Sequence, residues 1–335
     1  MTPMWGYSMI CRVYDPQLNK LGQIETFVSL VWTEKYNQLG TFQLELSQQQ
    51  EYSDLMKEDY YCEIDDSDTL MIIKSVQTEE NKIIVNGAPA TRLLSDRVST
   101  AELSNINAET AMRTLIHDMQ AWPCVALGAS CGLADKFEAQ TSDQTIEEYC
   151  EKIAQAVDAG FRLRFDKPNR KLLFEVYKPG ESQTVKFSTW FQNVGNLDYC
   201  VSTARYKNVA IVAGAGTGDE RITVYAGDTA SAGIDRREMY VDARQEQQKN
   251  DESLEDYKAR LVEYGKGKLL EQLRLETLDF DIDSDCVNLG DVVSCIFPEL
   301  GINAKVRIMG KTITAQNNVT QYSVELGTPV ITKRY

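Results

Sequence analysis

The chain has 335 residues, 43% hydrophobic and 25% charged, with 35 Lys and Arg against 50 Asp and Glu for a formal charge of −15. This composition points to a globular chain of two or three domains and excludes a disordered or membrane-embedded one, since no apolar stretch approaches the roughly 18 residues of a membrane span. The acidic balance disfavours specific nucleic-acid binding, which rests on Lys and Arg contacts to phosphate; it leaves open surface solubility or a negative wall past which DNA slides.

In chain order, the first clear element is Phe42-Gln43-Leu44-Glu45-Leu46, whose alternation predicts a half-buried strand. Strands follow at 70–76 and 82–86. Residues 108–121 place Ala111, Met112, Leu115, Ile116 and Met119 at helical spacing, with Asn107 as N-cap and Pro123 as stop. A second helix is predicted over 146–159. Thr145 and Glu148 have capping-box spacing, Ile146, Tyr149, Cys150, Ile153 and Val157 form the buried stripe, and Gly160 ends it. A hairpin comes next, with strands at 161–165 and 172–177 and the turn Asp166-Lys167-Pro168-Asn169. Strands at 209–213 and 222–225 precede a third helix over 254–274, with Ser253 as N-cap. Gly265 and Gly267 each weaken that helix by about 1 kcal/mol relative to Ala, enough for a break. The last strands fall at 278–283, 292–297, 306–313 and 322–326. Runs of strands separated by isolated helices predict a β-rich, antiparallel α+β fold rather than a doubly wound parallel sheet, with cuts near residues 100 and 200.

The residue inventory is poor in chemistry. His117 is the sole histidine, so a Ser-His-Asp or Cys-His nucleophile has one candidate base. It follows the stripe residue Ile116 and reads as a partly exposed helix position. The eight cysteines contain no C-x-x-C pair, and the spacing of Cys124 to Cys131 does not match a zinc site. Residues 1–10 show no basic region followed by an apolar run, so no secretory signal is expected. In a reducing cytoplasm the thiols are expected to be small buried hydrophobes, not a disulfide framework.

Gly214-Ala215-Gly216-Thr217-Gly218 resembles a dinucleotide loop, yet the third glycine of the motif falls on Asp219 or Arg221, and a strand, not a helix, follows. A glycine-rich hairpin turn is the expectation. Asp279, Asp281, Asp283 and Asp285 recur every second residue but fail both calcium-loop registers. They read as the acidic face of a strand, with a lumen-facing role and an ion site both left open. Acids are too plentiful to mark any glycosidase pair. No residue is assigned a catalytic, cofactor-binding or metal role, and no cofactor is expected.

The first hundred residues carry an ordered set: Tyr14-Asp15, Leu21-Gly22, Ser29-Leu30-Val31-Trp32, Tyr36-Asn37 and Gly40-Thr41-Phe42-Gln43-Leu44, then 70–76, 83–87 and Arg92-Leu93-Leu94-Ser95-Asp96-Arg97. This set resembles the opening of phage tail-hub proteins, the family of siphovirus tail-tip hubs and contractile-tail baseplate central hubs. Residues 205–214, 236–242, the long helix and Leu289-Gly290-Asp291-Val292-Val293 are similar to that family's second barrel-like domain, and 108–177 to its middle region.

The resemblance implies two barrel-like antiparallel β domains, at 1–100 and 201–335, flanking a helix-and-hairpin middle at 101–200. It implies a non-enzymatic virion structural protein, a homotrimer whose six barrel-like domains form a ring. Such a ring links the tail tube or distal tail protein to a spike or fibre protein, near the tape-measure protein, while DNA passes the lumen without specific binding. The location implied is the tail of a virion or related contractile injection system, assembled in the host cytoplasm, with no membrane contact. With a last strand at 322–326 and an end at Tyr335, no appended lysin or peptidase region is expected. Two other readings compete: a tail-associated cell-wall hydrolase or peptidase, and a carbohydrate-binding adhesin using Trp5, Trp122 and Trp190, which otherwise pack in cores or interfaces.

Overall fold

The computed structural model describes residues 9–99, 103–117, 123–138, 144–216, 218, 221–249, 252–270, 272, 275–282, 286–317, 319–327 and 330–331. Strand outweighs helix by 48% to 20% in several sheets, which is the β-rich α+β class the alternation predicts. Among the described residues no sheet closes into a barrel. The chain forms two compact units, residues 1–197 with 279–335, and residues 198–278.

The first unit opens with β1 (Cys11–Tyr14), β2 (Lys20–Ile24), β3 (Ser29–Lys35) and β4 (Gln38–Ser47), the short helix α1 (Gln50–Leu55), and β5 (Tyr61–Glu63), β6 (Met71–Glu79) and β7 (Lys82–Pro89). It continues through α2 (Arg92–Ser95), β8 (Val98–Ser99), β9 (Ser104–Asn107), α3 (Ala108–His117), β10 (Val125–Leu127), β11 (Lys136–Glu138), β12 (Gln144–Thr145) and α4 (Ile146–Ala156). The hairpin β13 (Gly160–Asp166) and β14 (Lys171–Tyr177) and then β15 (Glu181–Ser188) follow, and β16 (Gly195–Ser202) leads the chain out.

The second unit holds β17 (Val209–Ala213), β18 (Thr223–Gly227), β19 (Glu238–Asp242) and α5 (Leu254–Leu270). β20 (Leu275–Ile282) leads back to β21 (Val292–Phe297), β22 (Ile302–Gln316), β23 (Val319–Leu326) and β24 (Val330–Ile331).

The first unit's main sheet runs β23-β22-β3-β4-β7-β6-β5-β1-β2, with β21 pairing both β22 and β15. Antiparallel β22 and β3 join the two ends of the chain, pairing Ile313 with Trp32 and Thr312 with Thr33. Trp32 is fully buried and meets Phe42 edge-on at 5.5 Å. The odd positions of β6, Met71 and Ile73, belong to the core with Trp32, whereas Leu70 and Ile72 belong to the core under α3 and α4. A strand buried on both faces reads as a continuous apolar run, which is why 70–73 shows no alternation.

Two glycines explain how this sheet bends. The β3–β4 pairing slips between Thr33 and Lys35, and the β6–β7 pairing between Ile73 and Ser75. A Cβ on Gly40 would lie 1.8 Å from the Thr33 carbonyl, and one on Gly87 2.1 Å from that of Ile72. Each bulge pushes a carbonyl into the space a side chain would need. Gly40 of the Gly40-Thr41-Phe42-Gln43-Leu44 motif is therefore dictated by the neighbouring strand.

The second helix begins as expected. Thr145 accepts from the Glu148 N–H, and Glu148 accepts from the Thr145 N–H. Its end differs from expectation. Asp158, with φ of +51°, takes the left-handed position, and the Ala159 N–H reaches back to the Ala154 carbonyl at 2.9 Å. Gly160 instead opens β13, where a Cβ would meet the Tyr177 ring at 2.4 Å. The first helix is described to His117, and its expected continuation through Met119 lies outside the described residues.

α5 also differs from expectation, because it passes unbroken through Gly265 and Gly267. It packs on one face of the sheet β18-β17-β19, burying Ala210, Val212, Ala226 and Val241 against Tyr257, Leu261 and Leu269. A Cβ on Gly265 would sit 2.5 Å from Val212 and 2.9 Å from Ala226, while one on Gly267 meets nothing within 4 Å. Gly265 is a contact point between helix and sheet, and packing there outweighs its poor helix propensity.

Candidate functional site

The residues singled out for chemistry do not converge. His117 ends α3 in an exposed position. Cys131 donates to Glu109 through its Sγ at 3.4 Å, whereas Cys124 lies beside Tyr61, so the two thiols serve different neighbours. All eight cysteines are free thiols. Cys11, Cys62, Cys150 and Cys295 are buried as expected, but Cys131, Cys200 and Cys286 are exposed. Burial pushes the Cys295 thiol up to about 12.

The Gly214 loop joins β17 to β18 as a strand-to-strand turn, with Gly214 N–H bonded to the Ile222 carbonyl at 2.8 Å. Residues 217, 219 and 220 fall outside the described residues. In β20, Leu278, Phe280 and Ile282 are buried while Asp279 and Asp281 are half-buried. Asp281 accepts from Asn196 at 2.6 Å. Asp283 and Asp285 lie outside the described residues, as do Trp5 and Trp122.

Sequence reading missed a buried polar residue that holds a loop in place. Glu109, in the first turn of α3, is 3% exposed. Its carboxylate accepts the N–H of Cys131 and of Leu133, each at 3.0 Å, and thereby fixes the loop ahead of β11. Burial works to raise its pKa, but these donors together with Ser130 prevail and hold it below the ordinary 4.5. Its helical spacing shows that Glu109 lies on α3, and only the returning loop shows it to be buried.

The first unit also carries a polar cleft of 610 Å³. Glu34 organises one wall, accepting from Trp32 Nε1 at 3.0 Å, Ser67 Oγ at 2.5 Å and Thr69 Oγ1 at 3.0 Å. Its acids are largely engaged: Asp65 with Arg12 at 2.6 Å, Asp66 with the Tyr322 hydroxyl at 2.7 Å, and Asp291 with the Gly180 N–H at 2.9 Å. The cleft is a lattice of ion pairs and hydrogen bonds. Its hydroxyls at Ser67 and Thr69 both donate to Glu34, and no cluster of metal-ligand type occurs among the described residues.

Exposed aromatics are the stronger functional signal. After β15 a 3-10 turn, Thr189–Phe191, presents Trp190 at 72% exposure and Phe191 at 56%. The turn is held from several sides. Ser188 Oγ accepts from the Trp190 N–H at 3.2 Å, Thr189 donates to Glu299 at 3.2 Å, and the Asn193 amide brackets Ser188 and Lys186. A rigidly held, solvated Trp is the residue type that anchors protein interfaces.

In the second unit, Tyr225 and Tyr240 flank Ile211 in register on the sheet face opposite α5, at 53% and 60% exposure. Ile234, in the turn between β18 and β19, is 89% exposed.

Residues 10–328 match the family model described as Siphovirus ReqiPepy6 Gp37-like protein. Among solved structures the chain is similar to a tail protein from Neisseria meningitidis, with 16% identity over 97% of this chain and 98% of that one and a TM-score of 0.62. It is also similar to the 43 kDa tail protein of prophage MuSo2 from Shewanella oneidensis, with 10% identity over 95% and 97% and a TM-score of 0.60. A chain of the Francisella PdpA-VgrG complex shares 8% identity over 95% of this chain and 52% of that one, with a TM-score of 0.53. No curated protein matches. These likenesses show a shared fold.

Proposed function

Because the chain belongs to the Siphovirus ReqiPepy6 Gp37-like family, and so to phage tail structural proteins, we propose that it is a non-enzymatic hub subunit at the junction of tail tube and tip. The observation that carries the proposal is the family match over residues 10–328, reinforced by a fold shared along nearly the full length of two tail proteins.

In this reading three copies form a ring. Segments 1–100 and 201–335 of each copy supply barrel-like walls, closed only when neighbouring copies meet, and segment 101–200 braces them. A closed ring satisfies strand edges that would otherwise aggregate. One side of the ring seats the tube or distal tail protein and the other a spike or fibre, with the tape-measure protein nearby and DNA crossing an acidic lumen. The Trp190–Phe191 turn is an anchor for one of these partners.

Cryo-electron microscopy of tail particles tests the reading. Threefold density for this chain at the tube–tip junction is expected, and its absence from that junction overturns the proposal. A clear lysis band on a peptidoglycan zymogram would replace it with a hydrolase.

A further inference from the structure

Two of the eight cysteines meet inside the core. β1 pairs antiparallel with β5, with Val13 opposite Cys62 and Arg12 opposite Glu63. Successive side chains alternate faces, so Cys11 shares a face with Val13 and therefore with Cys62, its diagonal neighbour across the two strands. Both thiols belong to the Trp32 core, and both are 0% exposed. The two thiols hydrogen-bond to each other, and that bond together with burial holds the Cys62 thiol well above its ordinary value. Other thiols have different partners: Cys131 bonds to Glu109 and Cys124 to Tyr61. A relaxed disulfide joins Cα atoms up to about 7 Å apart, and diagonal neighbours lie roughly 7–8 Å apart, so a bond between Cys11 and Cys62 needs only a small approach of β1 to β5.

The pair sits where the sheet has little pairing to hold it. The sheet ends in the order β6-β5-β1-β2, β5 has three residues, and three residue pairs join it to β1. The β1–β2 hairpin therefore hangs from the main sheet on a short ladder, the kind of element that opens locally before the rest. While it is closed, both sulfurs are shielded and inert. Each opening exposes them together. One thiolate then attacks a small disulfide, which releases one small thiol and leaves a mixed disulfide. The second protein thiol displaces the other small thiol as the Sγ–Sγ bond forms. Two protein thiols are oxidised, and the small disulfide is reduced to two thiols that take up the two protons. The new bond encloses about fifty residues, a loop long enough to restrict the unfolded chain strongly.

We propose that Cys11 and Cys62 are a latent disulfide, closed by a small-molecule disulfide oxidant once the chain leaves reducing surroundings, and that it staples the β1–β2 hairpin to the main sheet. Their role as small buried hydrophobes then belongs to the reduced protein. The proposal goes beyond the hub reading and does not depend on it, although a tail particle that leaves its host makes this change of surroundings.

The test uses the full chain. Reduced protein is held for days in a series of buffers from reduced to oxidised glutathione, then alkylated in denaturant and digested without reduction. In the oxidised buffers, mass spectrometry is expected to show a disulfide-linked pair of peptides carrying Cys11 and Cys62. The melting temperature should rise by about 5 °C or more and fall back when reductant is added. Cys62→Ala should show neither the linked peptides nor the rise.

Cys11 and Cys62 recovered as alkylated thiols from the most oxidising buffer, or found only as mixed disulfides with glutathione, overturn the proposal. A linked pair that leaves the melting temperature unchanged also overturns it, because the bond is then no staple. If Cys62→Ala fails to fold, the peptide map and melting temperature of the wild type decide alone. None of these outcomes bears on the hub reading, which is judged by the chain's position in tail particles.

Discussion

The two units differ in how much of their surface is committed to their own core. The first buries Trp32, Phe42, Leu44 and Met71 in one cluster and Met112, Tyr149, Phe174 and Leu163 in another, and the start of its strand β6, Met71 to Ile73, is covered on both faces. The second centres on a three-stranded sheet and one helix, with a small core of mostly Ala and Val on its sheet side and an open face with two tyrosines. Net charge does not separate them, with −12 over the 254 residues of the first and −3 over the 81 of the second. A scaffold that must persist while neighbours are added needs a deep core. A three-stranded sheet covered by a single helix leaves its other face in solvent.

The sharpest way to break this contrast is to remove the first unit's anchor. Trp32→Ala deletes a fully buried indole that packs on Phe42 and donates to Glu34. The expected loss is about 3–5 kcal/mol, read as a lowered denaturant midpoint. A cost below about 1 kcal/mol would show that the Trp32 core does not hold the unit.

The next largest effect concerns Glu109. Glu109→Gln sets an amide NH2 against a backbone N–H that now donates to a carboxylate oxygen, and about 1–3 kcal/mol should be lost. The pH dependence has a defined sign. The folded pKa lies below the unfolded value, so the stabilisation is complete above about 4.5 and is lost as pH falls through the folded value. Glu147 acts oppositely, since burial raises its pKa and ionisation there opposes folding. The Gln variant should therefore lose stability at pH 7 and show a shallower acid limb than wild type. An unchanged limb would remove Glu109 from the account.

The glycines of α5 give a paired test of the second unit. Gly265→Ala forces a methyl to within 2.5 Å of Val212, and the strain of about 1–3 kcal/mol exceeds the propensity gain of about 1 kcal/mol. Gly267→Ala meets open space and should stabilise by up to about 1 kcal/mol. Opposite signs from two glycines one turn apart or less in a continuous helix would confirm that packing governs the first and propensity the second. Equal signs would mean that the helix does not press on the sheet as described.

Much of the strand content was legible because alternation is local. Phe42, Leu44 and Leu46, and Phe161 and Leu163, point inward as their spacing requires. The capping box at Thr145 and the N-cap at Ser253, whose Oγ accepts from the Asp256 N–H at 3.1 Å, were legible for the same reason. What escaped was set by distant partners. β15 reads Glu-Ser-Gln-Thr-Val-Lys-Phe-Ser and becomes a strand through parallel pairing with β21, more than a hundred residues on. Gly265 looked like a breaker because its contact, Val212, lies on a different element. The aromatic surfaces were half-visible: Trp190 stood out by type, while the Tyr225–Tyr240 row exists only once the three strands are in register.

The smallest expected change in stability is also the most informative about assembly. Trp190 is 72% exposed on a turn held by Ser188, Glu299 and Asn193, so none of the turn's hydrogen bonds depends on the indole. Trp190→Ser should stay within about 0.5 kcal/mol of wild type, the range of ordinary surface substitutions. If the turn anchors a tail partner, the same variant should be incorporated into tail particles at a fraction of the wild-type level, since an exposed Trp at an interface centre typically contributes about 2 kcal/mol or more to binding. Normal incorporation with normal stability would mark Trp190 as idle. Lost stability would mean that the indole belongs to the first unit's fold, and the division between a self-sufficient scaffold and its docking surfaces would have to be redrawn at that turn.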